Sequence, residues 1–350
     1  MKLVWIIFIV IISLIFALKI FNKGIKYYIL PHVYTPYKLI NDTYKLNDEM
    51  DNDMKMTNNT RWQYMFNPSI IKLGNDMLIV SRVVTKLAYL LWYSNTIIIS
   101  KITDCDINNP NIIISKPFDI YTTNKNDNET IKGLEDPRIF SLEGDIFILC
   151  SKPTNFGKNI LYLCKLSSDL LSYDKVIKII PEKCLGENHK NWNPFIITKQ
   201  EQLFVSHIQP HNIVKINFDT GEATLLYTSQ SLKLNNIYSG KLKLRGGSRY
   251  IYTSYGYLSI CHYFETFFSR RKYYHIFYLT EKNPPYRIIS FSEPFCIPNP
   301  VYKNIIQFVS GLEKVGDTLW IAYGDDDKSA NIAIIDLNYG LYLAQQNSAL

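Results

Sequence analysis

Residues 135–152 read EDPRIFSLEGDIFILCSK, and this stretch contains the pattern that decides the fold. A polar opening precedes a short apolar stretch, a Glu-Gly-Asp turn and a second apolar stretch that ends in a polar residue. Two apolar stretches on either side of a glycine-containing turn predict a β-hairpin. The start of its first strand and the end of its second strand then lie at the same edge of a sheet.

The same pattern recurs at residues 67–82, 192–207, 245–262 and 308–325, so the chain carries five copies of it. Further strand-like stretches follow each copy, and the sequence past residue 62 shows no helical periodicity. A unit of four short antiparallel strands that repeats five times predicts an all-β fold, specifically a five-bladed β-propeller. A sandwich or a jelly roll is the alternative, but neither repeats its opening motif five times.

In a propeller the innermost strands line a central channel, so polar residues at their edges converge at one mouth. The candidate site residues are Asn67, Arg82, Glu135, Asp136, Arg138, Lys190, Asn191, Trp192, His207, Arg245, His262, Asp325 and Asp327. Carboxylates, guanidinium groups, imidazoles and an indole together are typical of a site for a carbohydrate or a sugar phosphate. Three of the chain's eight arginines fall among them, which indicates a need for a fork-shaped donor.

Two motifs carry most of this prediction. In GLEDPRI (133–139) the two adjacent carboxylates cannot face the same way on a strand, so one can enter the pocket while Arg138 holds a carboxylate or a substrate oxygen. In HKNWNPF (189–195) a cation and amides accompany an indole on which a sugar can stack. The alternatives are a charged turn with an ion pair for the first motif, and a turn with a core Trp192 for the second.

Metal and cofactor sites are not predicted. His207 and His211 are four residues apart, but on predicted strands rather than on a helix. Residues 325–327 resemble the metal-binding acidic motif of nucleotide-sugar transferases, yet that motif belongs to a doubly wound α/β domain, for which this chain has no pattern. Phosphate or a nucleotide sugar is expected as a substrate, not as a cofactor.

The motifs at residues 67–68, 82, 133–139, 190–195, 245–248 and 308–335 resemble glycoside hydrolase family 130, the β-mannoside phosphorylases and hydrolases. Their fuller pattern and the apolar first segment look closer to membrane-anchored β-mannosyltransferase-like relatives. The resemblance implies that Asp136 is the sole general acid. It implies that Asn67, Arg82, Glu135, Arg138 and Asp327 hold the mannosyl ring, and that Lys190, His207, Arg245 and His262 surround phosphate.

The function expected from this resemblance is an inverting β-mannosyltransferase that uses a phosphate-bearing mannosyl donor and a glycan acceptor. A β-mannoside phosphorylase or hydrolase is the alternative, and a non-catalytic glycan-binding propeller is the second one. An inverting hydrolase needs a second carboxylate about 6.5–9.5 Å from the acid to activate water. Glu313 is the candidate for that role.

Residues 3–18 form an uncharged apolar run, which predicts a single-pass membrane anchor over residues 1–22. A stem or surface strap over 23–62 and a catalytic propeller over 63–346 would follow. A cleaved signal peptide is the alternative to the anchor. Flanking lysines lean toward a cytosolic body, whereas glycosylation sequons at Asn41, Asn58 and Asn128 suit a lumenal glycoprotein, so the topology stays open.

The composition agrees with a folded domain, since 47% of the residues are hydrophobic and 20% are charged. The net charge of +7 is spread along the chain without a basic block, and no nucleic-acid motif occurs, so nucleic-acid binding is disfavoured. The six cysteines lack zinc-finger spacing, which argues against a structural zinc module and a dense disulfide scaffold.

Overall fold

The structure is a computed structural model. It describes residues 28–29, 34–38, 60–87, 93–105, 113–114, 120–121, 130–131, 133–154, 158–170, 172–186, 189–238, 242–267, 270–297 and 306–349. Nearly all regular structure in these ranges is β-strand, with two short α-helices, α1 (Leu232–Ile237) and α2 (Leu337–Ala344). The predicted all-β class is therefore confirmed.

The strands fall into five main sheets that follow one another along the chain. Two short strands come first, β1 (Tyr28–Ile29) and β2 (Tyr34–Lys38). Sheet I contains β3 (Thr60–Leu73), β4 (Asp76–Leu87), β5 (Tyr93–Ile102) and β6 (Ile113–Ile114). A ribbon of β7 (Ile120–Tyr121) and β8 (Thr130–Ile131) follows. Sheet II contains β9 (Glu135–Leu142), β10 (Asp145–Pro153), β11 (Asn159–Leu166) and β12 (Tyr173–Lys178).

Sheet III contains β13 (Ile180–Pro181), β14 (Asn193–Ile197), β15 (Gln202–His207), β16 (His211–Ile216) and β17 (Glu222–Ser229). Sheet IV contains β18 (Arg245–Gly246), β19 (Ile251–Thr253), β20 (Gly256–Phe267), β21 (Arg270–Thr280), β22 (Ile288–Phe291) and β23 (Phe295–Cys296). Sheet V contains β24 (Gln307–Val315), β25 (Thr318–Asp325) and β26 (Ser329–Asp336). The last strand, β27 (Asn347–Ser348), pairs with β22.

Each repeated sequence pattern folds as an antiparallel hairpin, and the hairpins are β3–β4, β9–β10, β14–β15 and β24–β25. In the fourth copy the first strand is divided, and both β18 and β19 pair with β20. The first strand of each hairpin lies at one edge of its sheet. These edge strands contact the neighbouring sheets: β3 contacts β9 and β24, β9 contacts β14, β18 contacts β15, and β24 contacts β20.

Buried apolar side chains fill five interfaces, one between each pair of successive sheets and one between sheets V and I. Successive side chains on a strand point to opposite faces of the sheet. On β3, accordingly, Ile70 packs against sheet V while Ile71 packs against sheet II. On β9, Ile139 faces sheet I and Phe140 faces sheet III. This double burial explains why the strands read as continuous apolar runs.

Two residues on the edge strands, one within β3 and one at the start of β9, leave the strand conformation. Asn67 on β3 has φ 51° and Asp136 on β9 has φ 50°, both in the left-handed region. The pairing register shifts at both places, between Phe66 and Ser69 and opposite Leu149–Ser151. Asn and Asp tolerate this backbone better than other non-glycine residues do. The bulges turn the two polar side chains away from the strict inward and outward alternation of the strands.

The predicted membrane localisation needs correction, because no helix in the described ranges is long and apolar enough to cross a membrane. The proposed anchor over residues 1–22 and the sequon asparagines Asn41, Asn58 and Asn128 lie outside the described residues. Within the proposed stem, β1 pairs with β23 and β2 pairs with β26, so both short strands lie at sheet edges.

Candidate active site

A compact cluster of charges lies where β9 begins. Glu135 and Asp136 come from β9, Arg82 comes from β4, and Lys190 comes from the segment before β14. Arg82 binds Glu135 through Nη2 at 2.8 Å and Asp136 through Nη1 at 3.3 Å. The ammonium of Lys190 lies 3.2 Å from Glu135 and 3.0 Å from Asp136. Three sheets therefore bring two carboxylates and two cations into contact, as the sequence predicted.

Asp136 is the most buried carboxylate of this cluster, and its side chain is 6% exposed. Oδ1 accepts from the Asn67 amide at 2.8 Å and from Arg82, and Oδ2 contacts Lys190. Burial alone would raise the pKa of Asp136, but Lys190, Arg82, Arg138 and the Asn67 hydrogen bond together hold it well below its usual range. In the ligand-free protein Asp136 is therefore a carboxylate.

Asn67 reaches Asp136 because sheet V leaves room for it. A Cβ atom on Gly324 would lie 2.2 Å from Oδ1 of Asn67 and 2.8 Å from its backbone nitrogen. Such contacts are too short for any side chain at position 324 without a shift of Asn67. Gly324 thus permits the close approach of β25 that positions the amide beside Asp136.

Asn95 on β5 is a site residue that the sequence analysis missed. Its Oδ1 accepts from Nε of Arg82 at 2.9 Å, and its Nδ2 donates to Oε1 of Glu135 at 3.0 Å. Its backbone carbonyl accepts from the nitrogen of Gly133 at 3.2 Å, just before the GLEDPRI motif. One residue on sheet I therefore fixes a cation, a carboxylate and the loop that leads into β9.

Arg138 occupies a different place from the one predicted. It is 2% exposed, so it cannot hold a substrate oxygen at the mouth as the structure stands. Its Nη1 donates to the carbonyls of Asp136 and Pro137, each at 3.1 Å, and its guanidinium lies 5.3 Å from the centre of the Phe308 ring. Burial lowers the pKa of Arg138 to about 10. Through these two hydrogen bonds Arg138 stabilises the left-handed backbone at Asp136.

A second group of cations lies on sheet IV. The guanidinium groups of Arg245 and Arg271 lie 4.9 Å and 4.8 Å from the centre of the same Phe264 ring. Arg245 pairs in register with His262, whose buried ring stacks on Tyr273. Burial, followed by the charges of His275, Arg245 and Arg138, holds the pKa of His262 well below its usual range, so this imidazole is neutral.

Asp327, in the turn after β25, supplies a third carboxylate to the site. Asp327 is exposed overall, yet local desolvation of its carboxyl raises its pKa; Arg82 and Lys190 oppose this rise, and Asp136 and Asp326 add to it. The charges of Asp136, Arg82 and Lys190 thus all act on the Asp327 carboxyl. Its left-handed backbone (φ 52°) also departs from the strand conformation.

Four other predicted residues are not brought into this cluster. Trp192 is 1% exposed and packs with Phe140 and Phe204 between sheets II and III, so the prediction of an open stacking platform is wrong. Asp325 is fully buried, which corrects its placement at the mouth. Asn191 is buried too, with its carbonyl against Gly246. His207 is half-buried, and its Nδ1 lies 3.2 Å from the hydroxyl of Ser206.

Glu313, the candidate second carboxylate, lies at the wrong end of its strand. Its Oε2 accepts from the backbone nitrogen of Lys72 at 3.0 Å and from Arg249 at 2.9 Å. Lys72 is five residues along β3 from Asn67, which in a strand corresponds to roughly 15 Å. Glu313 is therefore too far from Asp136 to activate water there.

The described residues contain no group of three or more His, Cys, Asp or Glu side chains that could hold a metal ion. What the cluster offers instead is a buried acid with fixed hydrogen-bond donors, beside cations on a neighbouring sheet. Such an arrangement can hold a sugar ring, transfer a proton and bind an anion.

Comparison with known proteins gives a consistent result. The family profile described as β-1,4-mannooligosaccharide phosphorylase matches residues 41–341. The β-1,2-mannobiose phosphorylase from Listeria innocua has 15% sequence identity and a TM-score of 0.61, over 89% of this chain and 98% of that one. A glycosyl hydrolase from Bacteroides ovatus has 15% identity and a TM-score of 0.58, over 79% and 86%.

A third similar structure belongs to a study of family 130 hydrolases that target β-1,2 mannosidic linkages in Candida mannan. It has 17% identity and a TM-score of 0.58, over 80% of this chain and 86% of that one. No curated protein sequence matches the chain. At these identities the structural similarities establish a shared fold.

The fold, the carboxylate cluster and the family profile define a carbohydrate-active enzyme. The chain belongs to glycoside hydrolase family 130, as its motifs indicated. The comparisons do not support the expected glycosyltransferase activity; they favour the phosphorylase or hydrolase that was its alternative.

Proposed function

We propose that this protein is an inverting β-mannoside phosphorylase and that its five sheets are the blades of a five-bladed β-propeller. Asp136 is the general acid at the mouth of the channel. An oxygen of inorganic phosphate attacks C1 of the mannosyl ring, the C1–O glycosidic bond breaks, and the proton of Asp136 passes to the departing oxygen. The products are mannose 1-phosphate and a glycan shortened by one residue.

The observation that carries this proposal is the pair of guanidinium groups on sheet IV. Arg245 and Arg271 both lie against Phe264, and no acidic partner contacts either of them among the described residues. Burial, and after it the charge of Arg271, lowers the pKa of Arg245, so the two cations repel each other, and an anion bound at this edge of sheet IV would offset that repulsion. Phosphate is the anion that a phosphorylase requires as its nucleophile.

A hydrolase is the second candidate, and Asp327 is the observation that favours it. This carboxylate lies near Asp136, and its pKa is raised, both of which suit a base that activates water. A phosphorylase needs no such base, because phosphate is itself the nucleophile. Asp327 then contributes only to binding of the mannosyl ring.

Product analysis distinguishes these reactions. The full chain is incubated with β-1,2-mannobiose or β-1,4-mannobiose, each with and without inorganic phosphate, and with GDP-mannose plus mannose as a transferase arm. We expect mannose 1-phosphate, formed only when phosphate is present. Free mannose at the same rate without phosphate would establish a hydrolase, and an Asp327→Asn variant would then lose activity. An elongated acceptor from GDP-mannose would overturn the proposal.

A further inference from the structure

The two oxygens of the Asp136 carboxylate have partners of very different mobility. Oδ1 is held by Asn67 and Arg82, and both of these side chains are themselves fixed. Arg82 is bound by Asn95 and lies 4.9 Å from the Phe66 ring centre, while Asn67 is confined by Gly324. Oδ1 therefore keeps its hydrogen bonds throughout the reaction.

Oδ2 has one partner among the described side chains, the ammonium of Lys190 at 3.0 Å. Lys190 belongs to the segment before β14 rather than to a strand, and its side chain is 33% exposed. A lysine side chain has four rotatable bonds and can turn away without a backbone change. Oδ2 is thus the oxygen that can be released, and only a protonated Oδ2 can serve as the acid.

We propose that Lys190 is a latch on the general acid. In the free enzyme its ammonium pairs with Oδ2 of Asp136. When phosphate binds, the Lys190 side chain turns so that its ammonium pairs with a phosphate oxygen instead, and Asp136 then takes up a proton from solvent. This inference rests on the proposed phosphorylase function. The latch links binding of the nucleophile to protonation of the acid. Asp136 therefore becomes a proton donor only when phosphate is bound, and not when water alone occupies the site.

The balance of charge around Asp136 supports this role. The charged and titratable groups that face it are Lys190, Arg82 on β4, Glu135 and Arg138 on β9, Cys150 on β10, His262 on β20 and Asp327 after β25. Of the three cations, Lys190 has the largest effect in lowering the pKa of Asp136. Its departure therefore raises that pKa more than the loss of any other single cation would.

Proton exchange during phosphate binding tests the latch without turnover. Inorganic phosphate is titrated into the full chain by calorimetry at one pH, in two buffers with different ionisation enthalpies. The Asp136→Asn variant reports the protons that phosphate itself exchanges. We expect the wild type to take up more protons than Asp136→Asn, by an amount approaching one per site. The Lys190→Met variant should bind phosphate more weakly and lose most of this difference.

Lys101→Met is the matched control, because Lys101 also pairs with an aspartate, Asp76, at 2.6 Å, but at the other end of sheet I. It should behave as the wild type. A pH profile gives a second measurement: in Lys190→Met the alkaline limb of kcat/KM should move up by about one unit or more, since the acid stays protonated to higher pH.

The outcomes separate the latch from the proposed function. If phosphate binds and supports turnover, but wild type and Asp136→Asn exchange equal numbers of protons, the latch is wrong and the phosphorylase stands. An unchanged alkaline limb in Lys190→Met would also refute the latch. If phosphate neither binds nor supports turnover, both proposals fail.

Discussion

The two ends of the inner hairpins both carry buried ion pairs, but the two pairs differ in what holds their carboxylates. At the turn end, Glu313 accepts from the backbone nitrogens of Lys72 and Lys314 and from Arg249. At the opposite end, Asp136 accepts from side chains only among the described residues, and one of them belongs to a lysine whose side chain is 33% exposed. Backbone donors cannot leave, so Glu313 keeps its partners and joins strands. Asp136, in contrast, can lose its contact with the Lys190 ammonium when that side chain turns away.

Backbone conformation differs in the same way between the two ends. At the turn end, left-handed residues serve tight hairpin turns, and most of them, such as Gly74, Gly144 and Gly316, are glycines, with Glu143 as an exception. At the site end, Asn67, Asp136 and Asp327 adopt left-handed backbone although they carry side chains. Such conformations cost free energy and persist where the surroundings enforce them, which is frequent at functional sites. The contrast indicates that the site end is built for chemistry and the turn end for stability.

The largest expected effect comes from exchanging the carboxylate at each end for an amide. Asp136→Asn should reduce turnover of β-mannobiose by about 10³-fold, because general acid catalysis typically contributes that much. Glu313→Gln should keep near wild-type turnover and lose about 1–2 kcal/mol of unfolding free energy, since its pair with Arg249 is partly buried. Steady-state rates and denaturant unfolding measure the two quantities. Equal losses of activity would remove the distinction between the ends.

The next effect concerns the space for Asn67. In Gly324→Ala the new Cβ would meet Oδ1 of Asn67 at 2.2 Å, so the amide must move and its bond to Asp136 is lost. We expect about 100-fold lower kcat/KM, the cost of a displacement of about 1 Å at a reacting group. Gly316→Ala is the control, because it strains a turn with φ 57° but meets no atom within 4 Å. It should lower stability and leave kcat/KM unchanged.

A smaller effect is expected for Asn95→Ala. The variant loses the two side-chain hydrogen bonds that fix Arg82 and Glu135, although both ions still contact each other. Hydrogen bonds to charged groups contribute about 1.5–3 kcal/mol, and partial compensation leaves roughly a 10-fold loss in kcat/KM. An Asn95→Asp variant should be worse than alanine, since its carboxylate would repel Glu135. Equal losses of activity in the two variants would show that this repulsion has no effect on catalysis.

The sequence predicted the parts of this comparison that depend on local pattern. The five hairpins followed from repeated apolar stretches, and Arg82, Glu135, Asp136 and Lys190 followed from hairpin geometry. Trp192 was misplaced because it packs into the core between sheets II and III, and Asp325 because it is buried between β24 and β26 at the end of its strand; a position at a strand end does not reveal either burial. Asn95 was missed because it lies on a third strand outside the repeated hairpin. Glu313 was misjudged because its distance to Asp136 depends on the end of the strand it occupies.

The smallest effect separates two lysine–aspartate pairs. Lys101 contacts Asp76 at 2.6 Å, and this bond, together with the backbone nitrogen of Asp104, lowers the pKa of Asp76. A lowered pKa stabilises the fold above the unfolded pKa of about 3.9, and the contribution is lost as pH falls through the lower folded value. Lys101→Met should therefore lower the Tm slightly at pH 7, with a deficit that starts to shrink below about pH 4 and vanishes below the folded pKa of Asp76.

The effect on activity distinguishes the Lys101–Asp76 pair from the Lys190–Asp136 pair. Lys101→Met should leave the pH profile of kcat/KM unchanged, whereas Lys190→Met moves its alkaline limb. Both lysines lower the pKa of an aspartate, so the sign of the electrostatic effect is the same at the two ends. In the proposed mechanism, only the proton that Lys190 excludes from Asp136 takes part in the reaction. A thermal deficit of Lys101→Met that does not shrink as the pH falls from about 4 through the folded pKa of Asp76 would show that its side chain acts through packing instead of charge.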